Sequence, residues 1–69
     1  MSSISNRIKI VLLQQGKTNK WLADKINRDQ ATISKWCTNT SQPPLVAFVQ
    51  IAQTLNVKME DLIYNSQER

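Results

Sequence analysis

The stretch TNKWLADKINRDQATISKWCTN, residues 18–39, decides the fold. Thr18 or Asn19 can cap a helix, because a short side-chain oxygen accepts a bond from a free N–H of the first turn. Leu22, Ala23 and Ile26 then fall at i, i+1 and i+4, one inward face, and predict a helix running to about Ile26. Asn27-Arg28-Asp29 breaks the pattern. Asn tolerates the left-handed backbone that a tight turn needs. Asp29 is an N-cap for the next helix, read from Gln30 to Cys37 or Thr38, with Ile33 and Trp36 as its apolar face. Two short helices joined this way make a compact helical hairpin.

Working outward, a first helix starts near Ser5 or Asn6, either of which can cap it. Ile4, Ile8, Val11 and Leu12 lie at i, i+4, i+7 and i+8 on its inward face, and Gly16 suits a left-handed terminator. Ile10 and Leu13 lie off that face. Beyond the hairpin, Thr38-Asn39-Thr40-Ser41-Gln42-Pro43-Pro44 is polar and proline-stopped, a loop. A fourth helix from about Leu45 to Leu55 has Leu45, Phe48, Val49, Ile51, Ala52 and Leu55 as its apolar residues and ends at Asn56. A short fifth helix runs from Lys58 or Met59 to Tyr64, with Met59, Leu62 and Ile63 inward. Nothing alternates with period two over a useful length. The expected fold class is all-α: a five-helix domain over residues 5–64, with a flexible arm at 1–4 and a frayed tail at 65–69.

Sixty-nine residues with 41% hydrophobic side chains suffice for one small core and no second one. The net charge is +4 and is unevenly spread. Residues 1–42 carry seven basic and two acidic side chains (+5), whereas residues 43–69 carry two and three (−1). That asymmetry suggests one polyanion-facing side and one side left for packing or assembly. A single cysteine, Cys37, excludes an internal disulfide and fits a reducing, cytoplasmic setting. With no histidine there is no metal-ligand cluster, and no cofactor or small-molecule site is evident. No nucleophile–base pair stands out either, and Asp24, Asp29, Glu60 and Asp61 read as surface groups or caps, so an enzyme is not expected. The longest apolar run, residues 10–13, is too short to cross a membrane or to act as a signal peptide.

The outer face of the helix after Asp29 carries Gln30, Ala31, Thr32, Ser34 and Lys35, with no acid beyond Asp29 to repel phosphate. The DNA major groove admits an α-helix. There Gln can pair bidentately with adenine, Lys can donate to guanine, and Ala or Thr methyls can touch the thymine methyl. The bland alternative is ordinary exposed helix surface. Cys37 reads as a small buried apolar residue and Trp36 as core. Trp21 either lies along a DNA backbone or covers the first helix, and the sequence leaves both open.

The ordered set Leu22-Ala23, Ile26-Asn27, Gln30-Ala31-Thr32-Ile33-Ser34-Lys35, Pro43-Pro44-Leu45, Ile51-Ala52, Leu55-Asn56-Val57 and Asp61-Leu62 resembles the phage-repressor and Cro type of helix-turn-helix. This is the large xenobiotic-response-element family of bacterial regulators. The resemblance implies sequence-specific double-stranded DNA binding by a repressor-like transcriptional regulator, usually a homodimer on a two-fold operator. It places Gln30, Ala31 and Lys35 against bases, with Thr32 and Ser34 alongside. It places Thr18 and Asn19, with Thr38, Asn39, Thr40, Ser41 and Gln42 of the following loop, against phosphates; the basic side chains of Lys17, Lys20 and Arg28 beside them are expected to add phosphate contacts of their own. Three positions depart from the family pattern. Lys17 stands near an expected leucine. Leu12 and Cys37 stand where the family often pairs an arginine with a glutamate, so an apolar contact is expected instead of charge. Asn39 replaces the usual glycine. Pro44, Val57, Met59 and Tyr64, in the near-neutral second part, are the expected dimer surface. The competing function is an antitoxin or adaptor whose main task is to bind a partner protein; the chain shows no extra segment for holding one.

Overall fold

Among residues 6–63, which the computed structural model describes, five helices follow one another and no strand occurs: α1 Ile8–Gln14, α2 Asn19–Ile26, α3 Gln30–Cys37, α4 Leu45–Leu55 and α5 Met59–Ile63. The expected all-α order therefore holds. Ile4, Ser5, Tyr64, the arm and the tail lie outside the described residues.

The punctuation has one physical pattern. Gly16, Asn27, Asn39 and Asn56 take φ of 69°, 60°, 61° and 59°, the left-handed region. After each, the next N–H reaches back five residues to a carbonyl of the preceding helix. The bonds are Lys17 to Leu12 (2.8 Å), Arg28 to Ala23 (2.9 Å), Thr40 to Lys35 (2.9 Å) and Val57 to Ala52 (3.0 Å). These are the six-to-one bonds of a Schellman ending, which satisfy carbonyls the helix itself leaves free. Four helix ends thus use one device, and three of the four residues are asparagine.

The starts are more varied. Thr18 Oγ1 accepts from Trp21 N–H at 3.0 Å, and Asp29 accepts from Thr32 N–H at 3.3 Å, as expected of these caps. Asp61 reaches back to Lys58 N–H at 3.2 Å ahead of α5. Helix α1 begins two residues later than Asn6, with Arg7 in the N-cap position; Asn6 Oδ1 still accepts from Ile8 N–H at 3.1 Å. Arg7 N–H, which no helix carbonyl could take up, donates to the Leu62 carbonyl of α5.

Every helix sends at least one side chain to the centre: Ile8 and Leu12 from α1, Leu22 from α2, Ile33 from α3, Ile51 from α4 and Leu62 from α5. Each such burial stabilises by about 1.5–3 kcal/mol. Helix α2 packs on α3 and α4, α4 on α5, and α1 on α3 and α5. The expected inward residues Ile26 and Trp36 are buried, and Met59 and Ile63 are half-buried. Ala47, which the spacing did not single out, is fully buried, whereas Leu45 and Val46 are 70% and 66% exposed. Ile10 and Leu13, off the inward face of α1, are also exposed.

Candidate nucleic-acid interface

Burying Ile33, Trp36 and Cys37 turns the opposite side of α3 to solvent. Gln30, Ala31, Ser34 and Lys35 are all exposed there, at i, i+1, i+4 and i+5, and so form one continuous face; Thr32 is half-buried at its margin. The five residues expected to meet bases are thus on one helix. Four share its open face.

This face is held rigidly at both ends. At its start the Asp29 carboxylate takes two bonds from one residue: Thr32 N–H at 3.3 Å and the Thr32 hydroxyl at 2.6 Å. The Thr32 hydroxyl is the main cause that lowers the Asp29 pKa, and the group stays ionised well into acid. At the far end Asn6 is buried with 6% of its surface exposed. Its Nδ2 donates to the Trp36 carbonyl (2.7 Å) and to Gln42 Oε1 (2.8 Å), while its backbone N–H donates to Asn39 Oδ1 (2.8 Å). Asn39 Nδ2 returns a bond to the Asn6 carbonyl (3.3 Å), and Gln42 Nε2 donates to Asn39 Oδ1 (3.0 Å). Three amide side chains thus tie the end of α3 and its following loop to the entry of α1. Sequence reasoning missed this lock, because its partners are separated by thirty residues or more.

Leu12 and Cys37 are both buried in the same apolar cluster, where charge was not expected. The lock between α3 and the N-terminal segment is therefore uncharged. Its polar part, however, is Asn6 rather than a simple apolar contact. Burial pushes the Cys37 thiol pKa up, an effect that Lys9 partly opposes. The thiol donates to Asn19 Oδ1 at 3.4 Å, which pins the start of α2 to the end of α3.

The start of α2 gathers the expected phosphate-facing groups. Thr18 and Lys20 are exposed, and Lys17 and Asn19 are half-buried. The first N–H groups of any helix lack intrahelical partners and carry partial positive charge, which suits an anion. The Lys17 ammonium lies 4.8 Å from the centre of the Trp21 ring and the Lys25 ammonium 5.8 Å from it. Trp21 is half-buried and packs against the core, and the two ammonium groups over its ring make it the border of a basic strip. Lys20 sits 3.4 Å from Asp24, an exposed pair that adds little stability. Arg28, in the turn, lies 5.6 Å from the Trp36 ring.

The loop after α3 is exposed from Thr38 to Gln42. The Thr38 hydroxyl donates to the Ser34 carbonyl at 3.1 Å and lies 2.9 Å from the Thr40 hydroxyl. Asn39 and Gln42 are engaged in the Asn6 lock, so their side chains set the shape of the loop first. Of the expected dimer residues, Pro44 is exposed, Val57 and Met59 are half-buried against the core, and Tyr64 lies outside the described residues. Among the described residues no helix is long and apolar enough to cross a membrane, and no cluster of His, Cys, Asp or Glu has the makings of a metal site.

This geometry has named counterparts. A helix-turn-helix family model matches residues 8–62. The antitoxin HipB of Escherichia coli (strain K12) is 38% identical over 58 residues, covering 84% of this chain and 66% of HipB. The HipB of Escherichia coli O6:H1 is equally similar, with 62% of its length covered, so the chain spans just under two thirds of these relatives. Among solved structures, a Bacteroides fragilis protein provisionally described as DNA-binding superposes with a TM-score of 0.87. It is 45% identical, with 90% of this chain and all of that one covered. A transcriptional regulator from Listeria innocua shares the fold alone, at a TM-score of 0.75 and 16% identity over 96% of this chain and 65% of that one. The family model takes in every buried apolar residue of the core and the exposed face of α3, and the chain belongs to the Cro/C1-type helix-turn-helix family of DNA-binding proteins.

Proposed function

We propose that this domain is a sequence-specific, repressor-like regulator that lays α3 in the major groove of double-stranded DNA. The observation that carries the reading is the exposed face of α3, which has no acid from Gln30 onward and is fixed at both ends by hydrogen bonds. In this reading Gln30, Ala31, Ser34 and Lys35 meet base edges, with Thr32 alongside. Lys17, Thr18, Asn19, Lys20 and Arg28 flank the helix on phosphates, and residues 38–42 follow the backbone beyond it. The protein acts without catalysis and in the cytoplasm, as its histidine-free, single-cysteine composition suggests.

The reading includes a homodimer on a two-fold site. Between Lys35 and Lys58 the chain holds no charged residue over 22 positions, and the start of α4 exposes Leu45, Val46 and Val49 beside Pro44. Two copies of a +4 chain meet at least electrostatic cost where neither presents charge. The same apolar face favours the second reading, in which a partner protein is bound as the relatives' name, antitoxin, suggests for them. Selection from random duplex DNA, followed by a salt titration of the winner, tests the first reading. A two-fold winner with half-sites about 34 Å apart and a steep salt slope is expected. Equal binding to all duplexes, with a stable partner protein co-purifying instead, would overturn it in favour of the second.

A further inference from the structure

The loop beyond α3 follows the DNA backbone in the reading above, yet the chain carries no cation between Lys35 and Lys58. Any phosphate this loop holds is therefore held by neutral donors, as Asn, Gln, Ser and Thr side chains and backbone N–H groups can do. Most of its backbone donors are already engaged inside the protein. Thr38 N–H bonds the Ser34 carbonyl (3.0 Å), Asn39 N–H the Trp36 carbonyl (3.2 Å), and Thr40 and Ser41 N–H the Lys35 carbonyl (2.9 and 3.3 Å). The Thr38 and Thr40 hydroxyls pair with each other at 2.9 Å. Among the described residues of the loop this leaves Gln42 N–H, the Ser41 hydroxyl and the side-chain amides of Asn39 and Gln42.

Backbone groups dictate which way these two amides point, and Asn6 is the link. The Trp36 carbonyl can only accept, so it fixes Asn6 Nδ2; Ile8 N–H can only donate, so it fixes Asn6 Oδ1. The Asn6 backbone does the same for Asn39: its N–H takes Oδ1 (2.8 Å) and its carbonyl takes Nδ2 (3.3 Å). With Asn6 Nδ2 donating to Gln42 Oε1 (2.8 Å), Gln42 Nε2 is left to donate to Asn39 Oδ1 (3.0 Å). Asn39 and Gln42 are both exposed, and each keeps one amide proton without a partner. Both nitrogens neighbour the same atom, Asn39 Oδ1, so the two free N–H groups stand close together. At φ of 61° glycine would suit the backbone of residue 39 better; asparagine adds the amide. We propose that Asn6 is a positioning residue for DNA binding: it orients Asn39 and Gln42 so that their free N–H groups together hold one backbone phosphate past the end of α3. Asn6 itself is buried and meets no DNA. The inference rests on α3 being the base-reading helix.

The duplex that wild type selects, remade with one phosphate at a time replaced by a neutral methylphosphonate, tests it. Binding is read by fluorescence anisotropy for wild type, Gln42→Ala, Asn39→Gly and Asn6→Ser, with circular dichroism verifying that each is folded. Glycine suits the left-handed position, and serine keeps an acceptor for Ile8 N–H while removing the amide, so both variants spare the fold. For wild type, replacement of one phosphate per half-site, past the end of α3, should weaken binding about tenfold, the worth of a hydrogen bond to a charged group. Gln42→Ala and Asn39→Gly should bind the unmodified duplex about tenfold more weakly and lose their sensitivity at that phosphate alone. Their salt slope should match wild type, because a neutral contact releases no counterion. Asn6→Ser should lose the same sensitivity from a buried position. If all three variants remain as sensitive as wild type at every phosphate, the amides only tie the fold together and the inference is overturned. If Asn6→Ser alone keeps the sensitivity, positioning by Asn6 is overturned. If wild type itself selects no duplex, the DNA-reading function fails, a result distinct from these.

Discussion

Replacing Asn6 by alanine removes three side-chain hydrogen bonds, and their burial decides what each is worth. The bond to Gln42 joins an exposed side chain, which water can satisfy instead, so its loss weighs little. The other two are buried: Asn6 Nδ2 to the Trp36 carbonyl at 2.7 Å, and Ile8 N–H to Asn6 Oδ1 at 3.1 Å. The first loss leaves the Trp36 carbonyl with the Asn39 N–H alone, at 3.2 Å, and the second leaves the Ile8 N–H without a partner; at about 1 kcal/mol for the former and about 1–2 kcal/mol for the latter, Asn6→Ala should destabilise by ~2–3 kcal/mol. A 69-residue domain has only ~3–10 kcal/mol in all. The melting temperature should fall by roughly 10–20 °C, and the urea midpoint by about 2 M at a slope near 1 kcal/mol/M. Thermal and urea unfolding followed by circular dichroism measure both. Asn6→Asp sharpens the test. It keeps the acceptor for Ile8 N–H but turns an oxygen toward the Trp36 carbonyl, so its carboxyl pKa should rise. Its penalty should then shrink as the pH falls and protonation restores a donor. A loss below about 1 kcal/mol for Asn6→Ala, or an Asn6→Asp variant insensitive to pH, would refute the claim that this amide locks α3 to the N-terminal segment.

Three further outcomes are expected. Asn56→Ala forces a Cβ without asparagine's local hydrogen bonding into φ of 59° and should cost about 1 kcal/mol, while Asn56→Gly should be neutral or slightly stabilising; comparison of the two by urea unfolding checks it. Burial raises the Cys37 thiol pKa, so the neutral form it favours stabilises fully below the free thiol's pKa and that contribution fades as the pH rises through the raised value. Stability measured from pH 7 to pH 10 should therefore fall more for wild type than for Cys37→Ser, and native Cys37 should alkylate more slowly than in the unfolded chain; equal pH profiles count against this. Lys17→Ala should weaken binding to all duplexes alike and lower the salt slope by about one, read from titrations at several salt concentrations.

Much of this was legible in the chain because the relevant signals are local. The caps at Thr18 and Asp29, the left-handed asparagines and the inward faces of α1, α2 and α3 all act over five residues or fewer, which is the range periodicity and capping rules cover. What was not legible acts over distance. Asn6 reads locally as a helix cap, and its partners Trp36, Asn39 and Gln42 become visible only when α1 and α3 are brought together. The acceptor of Arg7 N–H, the Leu62 carbonyl of α5, is likewise visible only once the two ends of the fold meet. Helix α4 misled for a different reason. With eight aliphatic or aromatic side chains in its eleven residues, composition alone does not say which face is inward, and in its first turn the fully buried residue proved to be Ala47 rather than Leu45.

That last point bears on how the molecule divides its labour. A helix this apolar would normally be buried on more than one side. Here α2 and α5 cover part of α4, and Leu45, Val46 and Val49 remain open. Exposed apolar side chains contribute nothing to the stability of a lone domain, and they raise its risk of nonspecific association. Their retention in an otherwise economical core makes sense if the surface is covered in the working state. The cover must tolerate a face without charge, which a second copy does and a strongly basic or acidic partner does not. The basic first part and the uncharged middle of the chain are then two halves of one requirement. In the homodimer proposed above, the positive side would be brought to the polyanion, and the neutral side would let two positive domains approach each other while both are held there.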